Sequence, residues 1–307
     1  MKIGAVIQLV EIAQLKRAFT FEEIKSTAIR CEEFGFDSLW VYDHLLYREK
    51  KDQTLGIWEA WTMLSALAAV TSRVTLGTLV SCNSFRNPAL LAKMAHTVDE
   101  ISGGRLVLGV GAGWNQPEYD AFGYPFDHRV DRFEEAMKII HPLLKEGRVD
   151  FSGTYYSARN CEITPRSPRP GGPPLLIGGS RERMLQLAAR YADIWNVGYM
   201  SIPRSVDSMK KKMDKALKAE GRDPATLQYT YMVSLAFPDL AGWDKDKKRG
   251  YLPGTPQELA EAIAGFEQRG ASELMFHIIP SSPEGYERLA RAVEIYRAMG
   301  SSPSVTG

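Results

Sequence analysis

Two residues suited to acid–base chemistry, Asp43 and His44, directly follow the apolar run SLWVY at 38–42. An imidazole can donate or accept a proton near neutral pH, so His44 is a candidate for general acid–base catalysis with Asp43 beside it. A lone histidine is more often an ordinary hydrogen-bonded loop residue, and that alternative stays open here. We take His44 and Asp43 as the candidate catalytic residues.

The stretch RLVLGVGAGW (105–114) is a candidate for contact with a flat cofactor. Gly109, Gly111 and Gly113 end an apolar run, and a missing Cβ lets the backbone turn sharply or lie against a ligand. The spacing GxGxG does not complete the dinucleotide-binding pattern GxGxxG, and it lies in the middle of the chain, so a Rossmann site is not predicted. Tight packing between a strand and a helix is the alternative explanation.

A second glycine-rich segment, Gly178-Gly179-Ser180-Arg181, opens a predicted helix. Free backbone N–H groups and the positive end of the helix dipole favour an anion there. The side chains of Ser180 and Arg181 add hydrogen-bond donors. The segment therefore predicts a phosphate-binding turn, and a glycine turn in which Ser180 caps the helix is the alternative.

Other aromatic and polar residues follow or end apolar runs. Trp114-Asn115 and Trp195-Asn196 are aromatic–polar pairs, and Arg86 is suited either to an anionic substrate or to capping its neighbours. Packing is the default role of a tryptophan. Several such features after consecutive strands nonetheless exceed what packing alone predicts.

Alternating strands and helices must position these residues. Strands are predicted at 3–8, 38–42, 74–80, 106–110, 175–177, 194–197, 229–235 and 273–279, and helices at 21–35, 57–70, 88–101, 129–146, 180–191, 204–220, 256–269 and 283–299. Eight strands alternating with eight helices is the count of a (β/α)8 TIM barrel of the α/β class, whose active sites lie at the carboxyl ends of the strands. A doubly wound open sheet is the alternative.

A single domain over 1–307 accounts for the whole pattern, with one long excursion at 147–173 after helix four. This segment contains Tyr155, Tyr156 and several prolines, and we predict that it is irregular. It is too long for an ordinary connection and is therefore expected to act as a lid. A charged loop at 244–249 precedes helix seven.

Composition excludes several classes of partner. Lys plus Arg is 38 and Asp plus Glu is 37, so no global field attracts nucleic acid or an anionic membrane. No uninterrupted apolar run is long enough to span a membrane, and no secretory signal is evident. Cys31, Cys82 and Cys161 are far apart and no histidines have ligand spacing, so neither a disulfide framework nor a metal site is predicted. The expected location is the cytoplasm.

Five sequence runs match a known family in order and spacing. They are FGFDSLWVYDHL (34–45), RVTLGTLVSCNSFRNPALLAK (73–93), SGGRLVLGVGAGWNQPEYDAFGYPF (102–126), PPLLIGGSRERMLQLAARYADIWN (173–196) and GTPQELAEAI (254–263). In these runs the chain resembles the luciferase-like monooxygenase superfamily, and in particular its branch that uses the deazaflavin coenzyme F420. The resemblance covers essentially the whole chain.

The resemblance implies a TIM barrel with the flavin-like ring near the strand ends. His44 would lie beside the reactive ring carbon with Asp43 next to it, and a non-proline cis peptide bond at Leu79–Val80 would lie behind the ring. The remaining implied cofactor contacts are Cys82, Ala112, Gly113, Asn115, Gly178, Gly179 and Ser180. Homodimers are common in this family, so the resemblance also implies a homodimer.

Trp114 departs from the family pattern. The sugar-phosphate dehydrogenases of the branch carry a glutamate acid there, so we do not expect oxidation of a sugar phosphate, and the acid role falls to His44 or to the substrate. The expected substrate pocket is apolar and lined by Tyr42, Trp114, Trp195 and parts of 147–173.

The predicted activity is hydride transfer between coenzyme F420 and a small organic substrate. Replacing the central-ring nitrogen of a flavin by carbon disfavours radical and oxygen chemistry, so the protein would supply orientation and electrostatics for hydride transfer. Two alternatives remain. One is a monooxygenase of the same superfamily that uses reduced FMN and oxygen, and the other is a non-catalytic flavin-binding protein.

Overall fold

A computed structural model describes residues 1–12, 17–50, 53–240, 251–252 and 254–301. The strands are β1 (Lys2–Val6), β2 (Ser38–Val41), β3 (Tyr47–Lys50), β4 (Gln53–Leu55), β5 (Thr75–Thr78), β6 (Ser81–Cys82), β7 (Leu106–Gly111), β8 (Arg148–Ser152), β9 (Ser157–Glu162), β10 (Leu175–Gly178), β11 (Ile194–Met200), β12 (Gln228–Ala236) and β13 (Glu273–Ile279). The helices are α1 (Phe21–Glu33), α2 (Ala60–Val70), α3 (Pro88–Ile101), α4 (Gln116–Phe122), α5 (Arg129–Lys145), α6 (Glu182–Tyr191), α7 (Ser205–Ala219), α8 (Pro256–Glu267) and α9 (Pro283–Ser301). The predicted charged loop at 244–249 lies outside the described residues.

Eight parallel strands close into a barrel. Its strands are β1, β2, β5, β7, β10, β11, β12 and β13 in that order, and β13 pairs with β1 to complete the ring. The predicted TIM barrel is confirmed, because an open sheet would leave two strand edges unpaired. The carboxyl ends of all eight strands meet at one end, which we call the rim.

Helix starts follow from local capping. The hydroxyl of Thr20 accepts the N–H of Glu23, whose carboxylate accepts the N–H of Thr20, so α1 begins with a capping box. Helix α3 begins with Pro88 behind Asn87, whose side chain caps the first turn. The predicted start of α2 at 57 is wrong by about one turn, because the Glu59 carboxylate accepts the free N–H groups of Trp61 and Thr62 and so caps a helix that begins at Ala60.

Two layers of apolar side chains form the core. The interior of the barrel is filled by Val6, Trp40, Leu79, Val107, Leu176, Ile194, Met232 and Met275. A larger cluster fills the space between the strands and the surrounding helices. The barrel is therefore solid below the rim, and a ligand can bind only at its end.

A buried carboxyl group lies among these interior side chains. Glu273, the first residue of β13, accepts hydrogen bonds from the hydroxyl of Ser38 and from Nε1 of Trp40, the latter at 3.1 Å. The Trp40 Nε1 also lies 2.7 Å from the Ser38 hydroxyl oxygen. Burial raises the pKa of Glu273.

The prediction that 147–173 is irregular is wrong. Strands β8 and β9 form an antiparallel hairpin within it, and their alternating polar residues hid the strand pattern. Its turn is fixed to α5 because the Glu135 carboxylate accepts the backbone N–H groups of Thr154, Tyr155 and Tyr156. A second hairpin, β3–β4, and the short helix α4 also lie where no element was predicted.

Candidate active site

A cavity of about 370 Å³ opens at the rim of the barrel. The predicted site residues that line it are Tyr42, Asp43, His44, Leu79, Val80, Cys82, Ala112, Gly113, Trp114, Gly178, Gly179 and Ser180. Gly178 ends β10 and Cys82 lies in β6, and the others come from the segments that follow the barrel strands β2, β5, β7 and β10. The fold thus brings together nearly all residues that the sequence analysis singled out.

The side chain of His44 is held by a carboxylate that the sequence analysis missed. Its Nδ1 lies 2.9 Å from Oε1 of Glu118, and the other Glu118 oxygen accepts the N–H of Leu45 at 2.9 Å. The two side chains are 12% and 2% exposed. An ionised carboxylate only accepts, so we assign the proton to Nδ1, which leaves Nε2 as the proton acceptor of the neutral ring.

Two aromatic rings confine the imidazole. The ring centroid of Tyr47 lies 4.4 Å from that of His44, and that of Trp114 lies 5.6 Å away at an interplanar angle of 78°. Both aromatic side chains line the cavity. Together with Glu118 they leave His44 little freedom to rotate, which suits a group that must meet a substrate in one orientation.

Asp43 forms a buried ion pair. Nη1 and Nη2 of Arg86 donate to its two oxygens at 2.6 and 3.0 Å, and the N–H of Cys82 donates to Oδ2 at 3.0 Å. Burial raises the pKa of Asp43, and the guanidinium of Arg86 opposes that shift. Since both oxygens are engaged, Asp43 and Arg86 position the loops after β2 and β6, and we no longer assign Asp43 a catalytic role.

The floor of the cavity is the bulge after β5. The peptide bond Leu79–Val80 is cis, as the resemblance implied. The side chain of Val80 lies against the glycine-rich strand ends: a Cβ added at Gly111 would lie 2.7 Å from its Cγ2, and one added at Gly178 would lie 3.1 Å from its Cγ1. Glycine is thus needed at position 111 because the Val80 side chain of the bulge packs directly against it. The backbone of Gly111 also lines the cavity.

Cys82 and Tyr119 support the wall beside Gly113. The Cys82 Sγ lies 2.9 Å from the Tyr119 hydroxyl, which donates to the Ala112 carbonyl at 3.1 Å. Gly113 has a φ of +76°, and a Cβ there would lie 1.9 Å from the Tyr119 hydroxyl oxygen. Burial raises the pKa of Cys82 to about 12, so its thiol is neutral and forms part of the wall.

The turn before α6 forms another side of the cavity. Gly178, Gly179, Ser180 and Arg181 all line it. The N-cap residue of α6 is Arg181 and no side chain caps the helix, so the alternative in which Ser180 caps it is wrong. Within the described part of the chain, the guanidinium of Arg181 has no hydrogen bond or ion pair, which leaves it available to an anion.

Two predicted site residues do not line the cavity. Trp195 is fully buried between strands and helices, where it packs edge-on against Tyr229 and donates to the Gly179 carbonyl at 2.8 Å. Side chains alternate along a strand, so it is the next residue, Asn196, that faces the cavity. The prediction of Trp195 as a pocket residue is therefore wrong.

Asn115 is the other exception. Its side chain is buried and donates to the Leu46 carbonyl at 3.1 Å, which ties the start of α4 to the loop after β2. It therefore supports the loop that carries His44 and does not line the cavity. No residue of 147–173 lines the cavity either, so the expected contribution of that segment to the pocket is wrong.

Glu118, Tyr47 and Tyr199 are the main site residues that the sequence analysis missed. Proline directly after Gln116 indicates a helix start, so this signal could have placed Glu118 in a short helix but not beside His44. Tyr47 and Tyr199 carry no comparable signal, because a short hairpin and an irregular strand end present them.

The cavity fits a flavin-type cofactor. Its volume lies within the usual range for small-molecule sites, and the Leu79–Val80 bulge gives it an apolar floor. Gly111 and Gly178 line the cavity without side chains, so a planar ring can approach the backbone of this wall. The turn with Arg181 provides donors for a phosphate.

The fold and site define an α/β-barrel enzyme class with its chemistry at the rim. The sequence profile of the luciferase-like monooxygenases matches residues 1–239. The chain belongs to the luciferase-like monooxygenase family, as the resemblance implied.

The curated relatives include pyrimidine monooxygenases. The chain is 30% identical to the pyrimidine monooxygenase RutA of Rhizobium rhizogenes over 270 residues, which is 83% of this chain and 70% of that enzyme. It is also 30% identical to RutA of Escherichia coli over 252 residues, 78% of this chain but only 63% of that enzyme.

Solved structures of an F420-dependent dehydrogenase and of a monooxygenase share the fold. An F420-dependent secondary alcohol dehydrogenase in complex with an F420–acetone adduct superposes with a TM-score of 0.81 at 21% identity, covering 96% of this chain and 99% of its own. The EDTA monooxygenase EmoA from Chelativorans sp. BNC1 superposes with a TM-score of 0.80 at 16% identity, covering 99% and 95%. At these identities the likeness shows the fold alone.

Among the residues that the structure describes, none of the helices combines the length and the apolar character of a membrane-spanning segment. The described residues also contain no group of three or more His, Cys, Asp and Glu side chains arranged to hold a metal ion.

Proposed function

We propose that this protein is an oxidoreductase that transfers a hydride between coenzyme F420 and a small organic substrate. The observation that carries the proposal is the fixed imidazole of His44, which lines the cavity with its Nδ1 held 2.9 Å from Glu118. Hydride transfer to a C=C, C=N or C=O bond requires a proton as well. A preoriented imidazole can supply or take up that proton.

The residues that would hold the cofactor follow from the cavity. The Leu79–Val80 bulge would lie under the ring, and Ala112 and Gly113 would border it. The turn with Ser180 and Arg181 would bind the phosphate through backbone and side-chain donors. When bound, the deazaflavin supplies the carbon that donates or accepts the hydride.

The chain itself orients the reactants and manages the proton. The Glu118 carboxylate holds Nδ1 of His44, so the proton is exchanged at Nε2. When His44 is protonated, this carboxylate stabilises the imidazolium through the charge-assisted hydrogen bond. Trp114 and Tyr47 border the same imidazole and limit the access of water to it.

A monooxygenase that uses reduced FMN and oxygen is the second candidate. The identity of 30% to pyrimidine monooxygenase RutA over 83% of the chain favours it. The same cavity would accept FMN, because the floor, the glycine-rich wall and the phosphate donors are shared requirements of both cofactors.

Parallel titrations with F420 and FMN separate the candidates. We expect micromolar binding of F420, measured by fluorescence quenching, and hydride transfer in the absence of oxygen. Preference for FMN together with oxygen consumption by the reduced complex would replace the proposal with the second candidate. Binding without turnover with any reductant would indicate a non-catalytic flavin-binding protein.

A further inference from the structure

Four aromatic side chains border the cavity beyond the residues assigned to the cofactor. Tyr42, Tyr47, Trp114 and Tyr199 all line it, and we call them the aromatic collar. Two of them are open to solvent, since Trp114 is 61% and Tyr199 is 71% exposed. Large aromatic side chains that are exposed beside a cavity contribute little to the core and indicate a binding surface.

The backbone holds Tyr199 in an uncommon conformation. Its φ is +63°, in the left-handed region that a bulky residue rarely adopts, and it lies where the pairing of β11 with β12 shifts register. A buried role would explain such a conformation, but this side chain is exposed. Backbone outliers of this kind cluster at ligand sites.

The collar spans the rim. Tyr42 and Tyr47 follow β2, whereas Tyr199 belongs to β11, which lies four strands away around the closed barrel. Even so, all three tyrosines line the same cavity, so the collar borders it from opposite sides of the barrel.

The four side chains of the collar offer no charge to a ligand. Beside them, the Asp43 carboxylate is paired with Arg86, and the Glu118 carboxylate accepts a hydrogen bond from the neutral imidazole of His44. Burial also raises the pKa of Tyr47, so this phenol stays neutral. Its hydroxyl has no hydrogen-bond partner among the described residues, although it can both donate and accept.

We propose that the aromatic collar binds a neutral, planar, conjugated ring compound as the substrate. Trp114 and Tyr199 would stack on its faces, and the Tyr47 hydroxyl and His44 Nε2 would meet a carbonyl or ring nitrogen at its edge. An anionic compound would lack a counter-charge in the collar, and a saturated ring would lose the stacking. As a statement of substrate class the proposal rests on the proposed function, but binding to the collar does not.

Calorimetric titrations of the cofactor-loaded protein with three matched probes test the proposal. The probes are 2-naphthol, which is neutral and planar, the anion 2-naphthalenesulfonate and the saturated alcohol decahydro-2-naphthol. We expect 2-naphthol to bind roughly 3- to 10-fold more tightly than either of the others. W114A and Y199A should each lower the affinity for 2-naphthol by a similar factor, whereas W114F and Y199F should retain most of that affinity.

The control is F122A, which removes an aromatic side chain that is 53% exposed but does not line the cavity. It should leave the affinity for 2-naphthol unchanged, and all variants should bind the cofactor as the parent does. Equal binding of the three probes, or unchanged binding in both W114A and Y199A, would overturn the collar proposal. If no flavin or deazaflavin binds, the same titrations on the free protein decide the collar proposal, and the proposed function alone fails.

Discussion

Glu118 bridges the side chain of His44 and the backbone of the next residue. One oxygen lies 2.9 Å from His44 Nδ1, and the other accepts the Leu45 N–H at 2.9 Å. The short helix α4, which follows the glycine-rich end of β7, therefore fixes both the ring and the loop that carries it. Two barrel strands are thereby linked at the site of the proposed proton transfer.

E118Q tests this linkage. A glutamine has one acceptor oxygen, so it can serve either Nδ1–H or the Leu45 N–H but not both. We expect kcat to fall by about 10- to 100-fold, the range seen when supporting hydrogen bonds are removed, with little change in KM. E135Q is the matched control, since Glu135 also accepts backbone N–H groups but lies away from the cavity. Unchanged kcat in E118Q would show that Glu118 does not position His44.

H44A should remove the proton-transfer group itself. The expected loss in kcat is on the order of 100-fold or more, because general acid–base catalysis contributes at least that much. Cofactor affinity and thermal unfolding should stay close to those of the parent. H128A removes an exposed histidine that does not line the cavity and should leave turnover unchanged. Normal turnover of folded H44A would rule out the role given to His44.

G111A should displace the floor of the cavity. The added Cβ would lie 2.7 Å from Cγ2 of Val80, and overpacking of this kind costs about 1–3 kcal/mol. We expect lower stability and weaker cofactor binding, and partial recovery of both in G111A/V80A, because the shorter side chain removes the contact. Denaturant unfolding and cofactor titration measure both effects. If adding V80A did not restore the stability and cofactor affinity lost in G111A, the glycine would be needed for another reason.

R181A tests the anion-binding turn before α6. A charge-assisted hydrogen bond to a phosphate contributes about 1.5–3 kcal/mol, so affinity for a phosphate-bearing cofactor should fall by roughly 10- to 100-fold. Affinity for riboflavin, which has the ring but no phosphate, should change little. R190A lies on the same helix, where its side chain is paired with Glu220, and serves as the control. An equal loss for riboflavin would argue against a phosphate contact.

Much of this site was predictable because it follows from strand ends. The strand at 38–42 and the residues Asp43 and His44 after it had to reach the rim once eight parallel strands closed. The polar turn at Gly178–Ser180 followed from the same rule. These positions depend on local sequence patterns and on the closure of the barrel, and both can be predicted from the sequence.

The errors arose where a contact between distant segments decides the role of a residue. Trp195 lies in a strand as predicted, but one step of strand alternation turns it towards the helices and leaves Asn196 in the cavity. Asp43 looked catalytic until the position of Arg86 was known. Glu118 became visible only through its contact with His44, 74 residues away in the chain.

Burial in the barrel interior raises the pKa of Glu273, so the stability of the protein should depend on pH. In the unfolded chain this group titrates near 4.3, so above that pH the folded state holds its proton more tightly than the unfolded state does. The free energy of unfolding should therefore fall as the pH rises from about 4.3 towards the folded pKa, with a slope of at most about 1.4 kcal/mol per pH unit.

E273Q should remove this dependence, because an amide stays neutral at every pH and can still accept the hydrogen bonds of Ser38 and Trp40. Guanidinium unfolding of the parent and E273Q at pH 5 and pH 8 measures the difference. We expect the variant to gain stability relative to the parent as the pH rises, whereas E22Q, at an exposed carboxylate, should follow the parent. A constant difference between parent and E273Q would mean that Glu273 keeps its ordinary titration, so that its hydrogen bonds to Ser38 and Trp40 offset the cost of burying the charge.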